Sequence, residues 1–377
     1  MPQPVESKMV LSINPKPKAS IPKISYHGID LAKFIMAILV VTLHMNPFAK
    51  ISASLDYMIA QGITRVAVPY FFVASSFLLF RKMSLDEINV QKVRKYIKHI
   101  LRLYLVWSLI YLPIIIDERK GIHSLHELLQ KGTEIVLSTI FIGSYWQLWF
   151  LLALLIAAIF ITTLLFWKVK TRTIFIITGF GYLIAVIGTQ DYMIFDHFFS
   201  ERSPLWQFFH TWGMIFATPR NGICFASLFF FMGAYLATKH RNPSAFKVKA
   251  GMVFSLILLL MEVKGSLVFE LTKVHYSHDC YFSLVPLTYF VFLYSKNLKL
   301  KDSPVWVYLR KQSMFIFYIH TFWIFVASFV VGWRPHAFIH LDPFRFYLVV
   351  LALSILSSHI LIKLSPKEYF SYLKYLS

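Results

Sequence analysis

Long apolar segments separated by short polar ones run through the chain, and most are close to the twenty residues that a helix needs to cross a bilayer. Two amphipathic stretches, 123–142 and 204–217, are predicted to lie at the membrane interface. A membrane-length window predicts about ten spanning helices, at residues 28–47, 63–80, 98–116, 147–167, 172–189, 220–238, 248–266, 279–296, 313–332 and 344–364. The pattern therefore predicts an all-α fold, a polytopic membrane helical bundle.

Composition supports this interpretation. The 377 residues are 57% hydrophobic and 15% charged, whereas soluble domains carry roughly 25% charged residues. We expect no soluble domain and find no internal repeat. The organisation predicted is a flexible basic tail at 1–27, one membrane domain at 28–366 and a short tail at 367–377.

The formal net charge of +20 would suggest nucleic acid in a soluble protein. Here Lys and Arg concentrate in alternate loops, as they do on the cytoplasmic side of membrane proteins. We therefore expect no nucleic-acid partner, both termini in the cytoplasm and a location in the cytoplasmic (inner) membrane. The first helix has no small-residue cleavage signature, so it is interpreted as a retained signal anchor.

Cys224 and Cys280 have no metal-binding spacing, and no metal site is predicted. They form either a disulfide or two separate apolar cysteines. No glycine-rich phosphate loop is present, which argues against ATP hydrolysis.

The first predicted span carries Asp30, Lys33 and His44, and ionisable groups in a membrane helix indicate function. Lys33 and His44 are eleven positions apart, which places them on one helix face about 16 Å apart along the axis. Two simpler interpretations stay open. Lys33 could extend towards lipid headgroups with Asp30 as its partner, and His44 could be an interfacial histidine.

Three more polar residues, Arg220, Glu262 and His320, fall at the membrane level predicted for His44. Together the four could activate a hydroxyl and stabilise an oxyanion. Each has an alternative. Arg220 could anchor a lipid phosphate, Glu262 could contact solvent or Lys264, and His320 could make a helix-packing hydrogen bond.

Cations crowd the predicted inner ends of spans two and three. They could bind a polyanion or simply mark the cytoplasmic side. They are Arg81, Lys82, Lys92, Arg94, Lys95, Lys98 and Arg102. At the outer level, Trp146 and Trp149 could line a sugar-binding cavity or belong to an interfacial aromatic belt.

These residues together resemble the acyltransferase-3 family of ten-span membrane acyltransferases. The matching segments are Asp30/Lys33/His44, Val68–Leu79, Trp146–Leu151, Arg220-Asn-Gly222 ahead of Phe231-Met-Gly233, and Ser313–His320. Three positions differ. The family often has arginine where Lys33 stands, Ser75-Ser76 replaces Ser-Gly, and Arg81-Lys82 is a weak substitute for Arg-x-x-Arg.

Two segments, Thr218–Gly222 and Tyr276-Ser-His-Asp279, are similar to the membrane domain of vancomycin-resistance serine racemases. We expect no racemase half, because the chain ends soon after the tenth predicted span. No pyridoxal chemistry and no permanently bound cofactor are therefore expected.

The resemblance implies transfer of an acyl group, usually acetyl, from cytoplasmic acyl-coenzyme A to a hydroxyl of an extracytoplasmic glycan. His44 would be the general base or a transient nucleophile, and the base is favoured. Arg220 would orient the acceptor or stabilise the oxyanion, and Glu262 and His320 would orient other groups. Donor binding is assigned to Lys33, Arg81, Lys82, Lys98 and Arg102, and acceptor binding to Asn221, Trp146 and Trp149.

The expected partners are membrane lipids, acyl-coenzyme A and an extracytoplasmic carbohydrate, and a homo-oligomer is left open. The rival class is a permease for a small amino acid such as serine. A permease predicts broken helices near the midplane and often inverted repeats, and no repeat is visible in the sequence.

Overall fold

The computed structural model describes residues 25–118, 125–190, 203–204, 207, 221–238, 243–270, 280–330, 342–365 and 376. No strand occurs within these ranges, so the predicted all-α class is confirmed. The helices are α1 His27–Met45, α2 Ala53–Tyr57, α3 Ala67–Phe80, α4 Val90–Glu118, α5 Leu125–Phe141, α6 Trp149–Phe166, α7 Thr171–Gln190, α8 Ser227–Thr238, α9 Ala245–Glu270, α10 Leu284–Asn297, α11 Pro304–Val330 and α12 Pro343–Leu364. The N-terminal tail to residue 24, Arg220, the segment 276–279, most of 204–217 and nearly all of the C-terminal tail lie outside the described residues.

Several helices are suited to a bilayer, which agrees with a multi-pass membrane protein. In the part of the chain that the structure describes, six are long and apolar enough to cross: His27–Met45, Ala53–Phe80, Val90–Glu118, Trp149–Phe166, Pro304–Phe329 and Pro343–Leu364. Two shorter apolar helices, Thr171–Ile187 and Gly222–Thr238, coincide with predicted spans five and six, and α9 and α10 coincide with seven and eight. Ten crossings and cytoplasmic termini remain predictions.

Three boundaries differ from the sequence prediction. The second span is preceded by continuous helix, in which α2 leads through a π-helical turn (Met58–Gly62) and a 3₁₀ turn (Ile63–Val66) into α3. Helices α4 and α11 begin at Val90 and Pro304, well before residues 98 and 313. The segments that the window left out contain Lys92, Arg94 and Lys95 in α4 and Arg310 and Lys311 in α11. A hydropathy window rejects such residues although they form helix readily.

Helix α1 is central to the bundle and contacts α3, α10, α11 and α12. Glycines permit the closest helix approaches, as is common in membrane bundles. A Cβ atom at Gly28 would lie 2.1 Å from the Ser295 carbonyl oxygen of α10. A Cβ atom at Gly233 of α8 would lie 2.2 Å from the Val73 carbonyl oxygen of α3. Helix α1, which carries Lys33 and His44, is therefore packed against several neighbours at once.

Cys224 and Cys280 are both buried, and no disulfide joins them. Of the two alternatives for these residues, the structure has the separate apolar cysteines and not the disulfide.

Candidate active site

His44 lies in a cavity of about 350 Å³, called here the outer cavity after the predicted topology. It combines aromatic rings with a few polar groups, as small-molecule sites usually do. Its lining residues are Val40, Leu43, His44, Gln61, Arg65, Val68, Trp146, Gln147, Trp149, Phe150, Phe225 and Phe317. The cavity thus brings together His44, Trp146 and Trp149, three of the residues predicted from the sequence.

His44 sits in the last turn of α1, which ends where Asn46 takes a left-handed conformation with φ 44°. The His44 ring stacks on the His320 ring at a centroid distance of 5.3 Å. The Trp146 ring lies 6.2 Å from the His44 ring. Two histidines predicted from distant parts of the sequence are therefore in direct contact.

His320 is fully buried on α11. Its Nδ1 lies 3.1 Å from the Ile316 carbonyl oxygen, and because a carbonyl only accepts, Nδ1 carries the proton. In the neutral ring the lone pair is then on Nε2, which has no hydrogen-bond partner among the described residues. His320 thus makes the helix-packing hydrogen bond of the simpler interpretation, and its Nε2 is buried without a hydrogen-bond partner among the described residues.

The backbone around His320 is fixed by Tyr111 of α4. The Tyr111 hydroxyl donates to the Tyr318 carbonyl at 2.6 Å and accepts from the Phe322 N–H at 3.1 Å. In a regular helix these two backbone groups pair with each other, so the hydroxyl is inserted into the hydrogen-bond ladder. Gln147, which lines the outer cavity, also donates to the Tyr318 carbonyl at 3.1 Å.

Arg65 is the arginine that the structure places in the outer cavity, and the sequence interpretation missed it. Its guanidinium donates to Gln61 Oε1, one helical turn earlier. The predicted cavity arginine, Arg220, lies outside the described residues. The spacing Gln61-x-x-x-Arg65 at the start of an apolar span is the signal that could have found this pair.

Glu262 and Asn221 are not lining residues of this cavity. The Glu262 carboxylate accepts from the Phe282 N–H at 2.7 Å and from both the N–H and the hydroxyl of Ser283, just before α10 begins. The Asn221 side chain accepts from the N–H groups of Ile223 and Cys224, in the turn Gly222–Ala226. Both residues cap helical segments, and the described contacts do not support an orienting role for Glu262 beside His44.

A second cavity, of about 700 Å³, lies at the other end of α1 and is called the inner cavity. Lys33, Arg81 and Lys82 line it as predicted, and Arg310 and Lys311 of α11 add two cations that were not predicted. Arg310 is 3.8 Å from Asp30. The remaining lining residues of the inner cavity are Phe71, Ser75, Leu78, Leu79, Lys92, Lys95, Tyr96, His99, Ile100, Leu103, Phe150, Leu151, Leu154, Ser313, Met314, Phe317 and Tyr318.

Lys98 and Arg102, the other predicted donor-binding residues, line a neighbouring open groove of about 600 Å³ on α4. Lys95 and His99 are shared between this groove and the inner cavity. The predicted cation cluster is therefore divided between two adjoining surfaces.

Comparison with known proteins agrees with these features. The profile of a family described as an acyltransferase domain matches residues 26–363. An amino-acid racemase of Enterococcus faecalis is 31% identical over 237 residues, 63% of this chain and 31% of that protein. A serine/alanine racemase of Enterococcus gallinarum is 27% identical over 306 residues, 80% of this chain and 41% of that protein.

A second amino-acid racemase of Enterococcus faecalis is 27% identical over 350 residues, 90% of this chain and 46% of that protein. The chain thus spans less than half the length of each of these relatives. No solved structure matches it. The match along nearly the whole membrane bundle confirms the resemblance noted in the sequence: this chain belongs to the acyltransferase-3 family.

Proposed function

We propose that the chain transfers an acyl group, preferentially acetyl, from cytoplasmic acyl-coenzyme A to a hydroxyl of an extracytoplasmic glycan or cell-envelope acceptor. One observation carries the proposal. A single helix, α1, contributes Lys33 to a cation-lined cavity and His44 to a histidine- and tryptophan-lined cavity. Donor and acceptor would thus meet across one helix face, in the cytoplasmic membrane.

The inner cavity suits the donor in two respects. Arg81, Lys82, Lys92, Arg310 and Lys311 supply cations for the phosphates of coenzyme A. Leucine and phenylalanine side chains line other parts of the same cavity, where the thin pantetheine arm would lie. No bound cofactor is needed, because coenzyme A is itself a substrate.

In the proposed reaction His44 takes the proton of the acceptor hydroxyl, and the hydroxyl oxygen forms a bond to the thioester carbonyl carbon. The carbon–sulfur bond then breaks, and the proton passes from His44 to the departing thiol. Arg65 stabilises the negative charge on the carbonyl oxygen. Arg220, the arginine that the sequence predicted for this role, would act with it. His320 holds the His44 ring in place.

The alternative chemistry makes His44 a nucleophile that carries the acyl group briefly. Radiolabelled acetyl-coenzyme A, supplied to purified protein without an acceptor, separates the two. Label on His44 favours the covalent route, and unlabelled protein favours the base.

The outer cavity suits a polyhydroxyl acceptor. Trp146, about half exposed, and Trp149 offer flat rings for the apolar face of a sugar. The Gln61 amide N–H groups offer donors for its hydroxyls, and the Gln147 Oε1 offers an acceptor. Asn221 caps a turn and is assigned no contact with the acceptor in this proposal.

The test is transfer of radiolabel from acetyl-coenzyme A to envelope material in membrane vesicles. His44→Ala should lower transfer at least 100-fold, the lower range for a lost general base. His359→Ala, which removes a histidine that bonds Tyr308 on another face of α11, is the matched control. Wild-type transfer by His44→Ala protein would exclude the proposed mechanism.

A permease is the second candidate, because two cavities separated by thin packing are also what alternating access requires. One relative is named a serine/alanine racemase, so serine is the cargo to test. Thermal stabilisation by coenzyme A, with no uptake of labelled serine into proteoliposomes, supports the transferase. Serine uptake without stabilisation by coenzyme A supports the permease.

A further inference from the structure

Two phenylalanines, Phe150 and Phe317, line both the outer and the inner cavity. The two sites are therefore separated by the thickness of these side chains. Phe71 of α3, which lines the inner cavity, completes a group of three rings. We propose that Phe71, Phe150 and Phe317, called the partition, determine which acyl group crosses between the cavities and admit only a short one. This inference rests on the proposed function.

The three rings are in mutual contact. The centroid distances are 6.0 Å for Phe71–Phe150, 5.7 Å for Phe71–Phe317 and 5.1 Å for Phe150–Phe317. All three pairs are edge-to-face, which is a favoured geometry. Water between such rings would lack polar partners, so the partition is a dry barrier.

The surroundings place the partition on the path of the acyl group. The Phe317 ring lies 6.3 Å from the His320 ring, and His320 stacks on His44. Ser75 lines the inner cavity together with Phe317. An acyl group that leaves the inner cavity between these rings therefore arrives directly at the histidine pair.

The packing sets the size limit. Because interiors are close-packed, passage requires one ring to turn away from the other two. The space that one ring vacates accommodates a two-carbon acetyl group. An eight-carbon octanoyl chain is longer than a phenyl ring and has to displace at least two rings. The partition thus favours acetyl through the space it leaves and not through any polar contact.

Acyl selectivity tests this size limit. Transfer from labelled acetyl- and octanoyl-coenzyme A in membrane vesicles is compared for wild type and Phe150→Ala, with Phe72→Ala as the control. The Phe72 ring lies 4.7 Å from Phe150 but is not a lining residue of either cavity. We expect the octanoyl-to-acetyl rate ratio to rise at least tenfold in Phe150→Ala only. An unchanged ratio in Phe150→Ala, or an equal rise in Phe72→Ala, overturns the proposal.

A labelling experiment judges the barrier without relying on activity. Ser75→Cys is introduced beside the natural cysteines, which are buried, and a membrane-impermeant maleimide is added on the side that the outer cavity faces. The single variant and Ser75→Cys/Phe72→Ala should stay unlabelled, whereas Ser75→Cys/Phe150→Ala should be labelled. Labelling of the single variant, or no labelling of the Phe150→Ala double variant, contradicts the barrier. If wild type transfers no acyl group at all, the proposed function fails. The labelling result still shows whether the partition is a barrier.

Discussion

The His44–His320 contact sets an imidazole that lines the outer cavity against one that is fully buried. His320 is tied to its own helix through Nδ1, whereas His44 sits at the end of α1 with its ring on the cavity. A catalytic base needs access to the substrate, and an orienting group needs rigidity. We therefore assign the proton transfer to His44 and the support to His320.

At the residue scale, Arg65→Gln tests the arginine that the sequence interpretation missed. We expect acyl transfer to fall about 100-fold, the scale for one lost oxyanion donor. Thermal stabilisation by coenzyme A should stay at the wild-type value, because Arg65 is not a lining residue of the inner cavity. Transfer in vesicles and melting of the purified protein are the two measurements. A loss of stabilisation by coenzyme A would contradict the assignment to the outer cavity.

Helix periodicity was enough to predict that Lys33 and His44 share a face, because both positions belong to one helix. It was not enough for Glu262, whose carboxylate caps α10 instead. The predicted topology gives the depth of a residue in the membrane but not its direction around the bundle. Arg65 was missed for the same reason, since its place depends on how the turns before α3 pack.

At the element scale, one α4 side chain controls the local form of α11. The Tyr111 hydroxyl occupies the gap between the Tyr318 carbonyl and the Phe322 N–H. A side chain inserted in this way is a recognised cause of local helix distortion. The distortion spans His320, so the orientation of that ring depends on a residue of another helix.

Tyr111→Phe removes only the hydroxyl. We expect a loss of about 1–3 kcal/mol in the free energy of unfolding, because the Phe322 N–H loses its acceptor. The Tyr318 carbonyl still accepts from Gln147. The pH profile of acyl transfer should also shift, because the histidine pair is displaced. Tyr104→Phe, on the same helix but bonded to the Thr139 carbonyl, is the control for a lost hydroxyl. A Tyr111→Phe protein with the wild-type pH profile would make Tyr111 a purely structural residue.

Glu262→Ala tests the capping interpretation at the start of α10. Two backbone N–H groups lose their acceptor. We therefore expect the free energy of unfolding to fall by about 0.5–2 kcal/mol, the usual effect of a lost cap. Acyl transfer per folded molecule should be unchanged. A large loss of transfer at unchanged stability would restore the catalytic role first predicted for this residue.

Element boundaries were predictable only where hydropathy and helix formation agree. The window found the apolar part of α4 but not its basic first turns. At 29 residues this helix is about 43 Å long, more than the roughly 30 Å hydrocarbon core. Its charged end therefore has to project beyond the core, and it is this end that lines the inner cavity and the groove.

At the scale of the whole molecule, the inner cations are drawn from several helices and from the segment after α3. Their convergence could be anticipated from the predicted topology, but Arg310 and Lys311 could not. The predicted topology does not say which inner segments lie beside each other, and the packing of α11 brings these two residues to the cavity.

Arg81→Gln tests whether this convergence binds the donor. Loss of one charged phosphate contact should lower affinity for coenzyme A by about 1.5–3 kcal/mol, roughly 10- to 150-fold. Thermal melting of the purified protein across a coenzyme A titration measures this affinity. Arg172→Gln, in the first turn of α7 and not a lining residue of the three cavities described, should bind as wild type. Equal affinity in both variants would remove Arg81 from the donor site.

In the proposed reaction, the dry partition also determines how charge crosses the bilayer. When the acyl group moves to an outer hydroxyl, a proton has to replace it on the thiol. If the proton of the acceptor hydroxyl were released into outer water and the thiol took its proton from inner water, one net charge would move per turnover. That movement is worth about 2.3 kcal/mol per 100 mV of membrane potential. Phenyl rings cannot carry a proton, so His44 has to transfer the hydroxyl proton directly to the sulfur while one ring is displaced. The exchange is then electroneutral, and turnover in proteoliposomes should be unaffected by an imposed potassium diffusion potential.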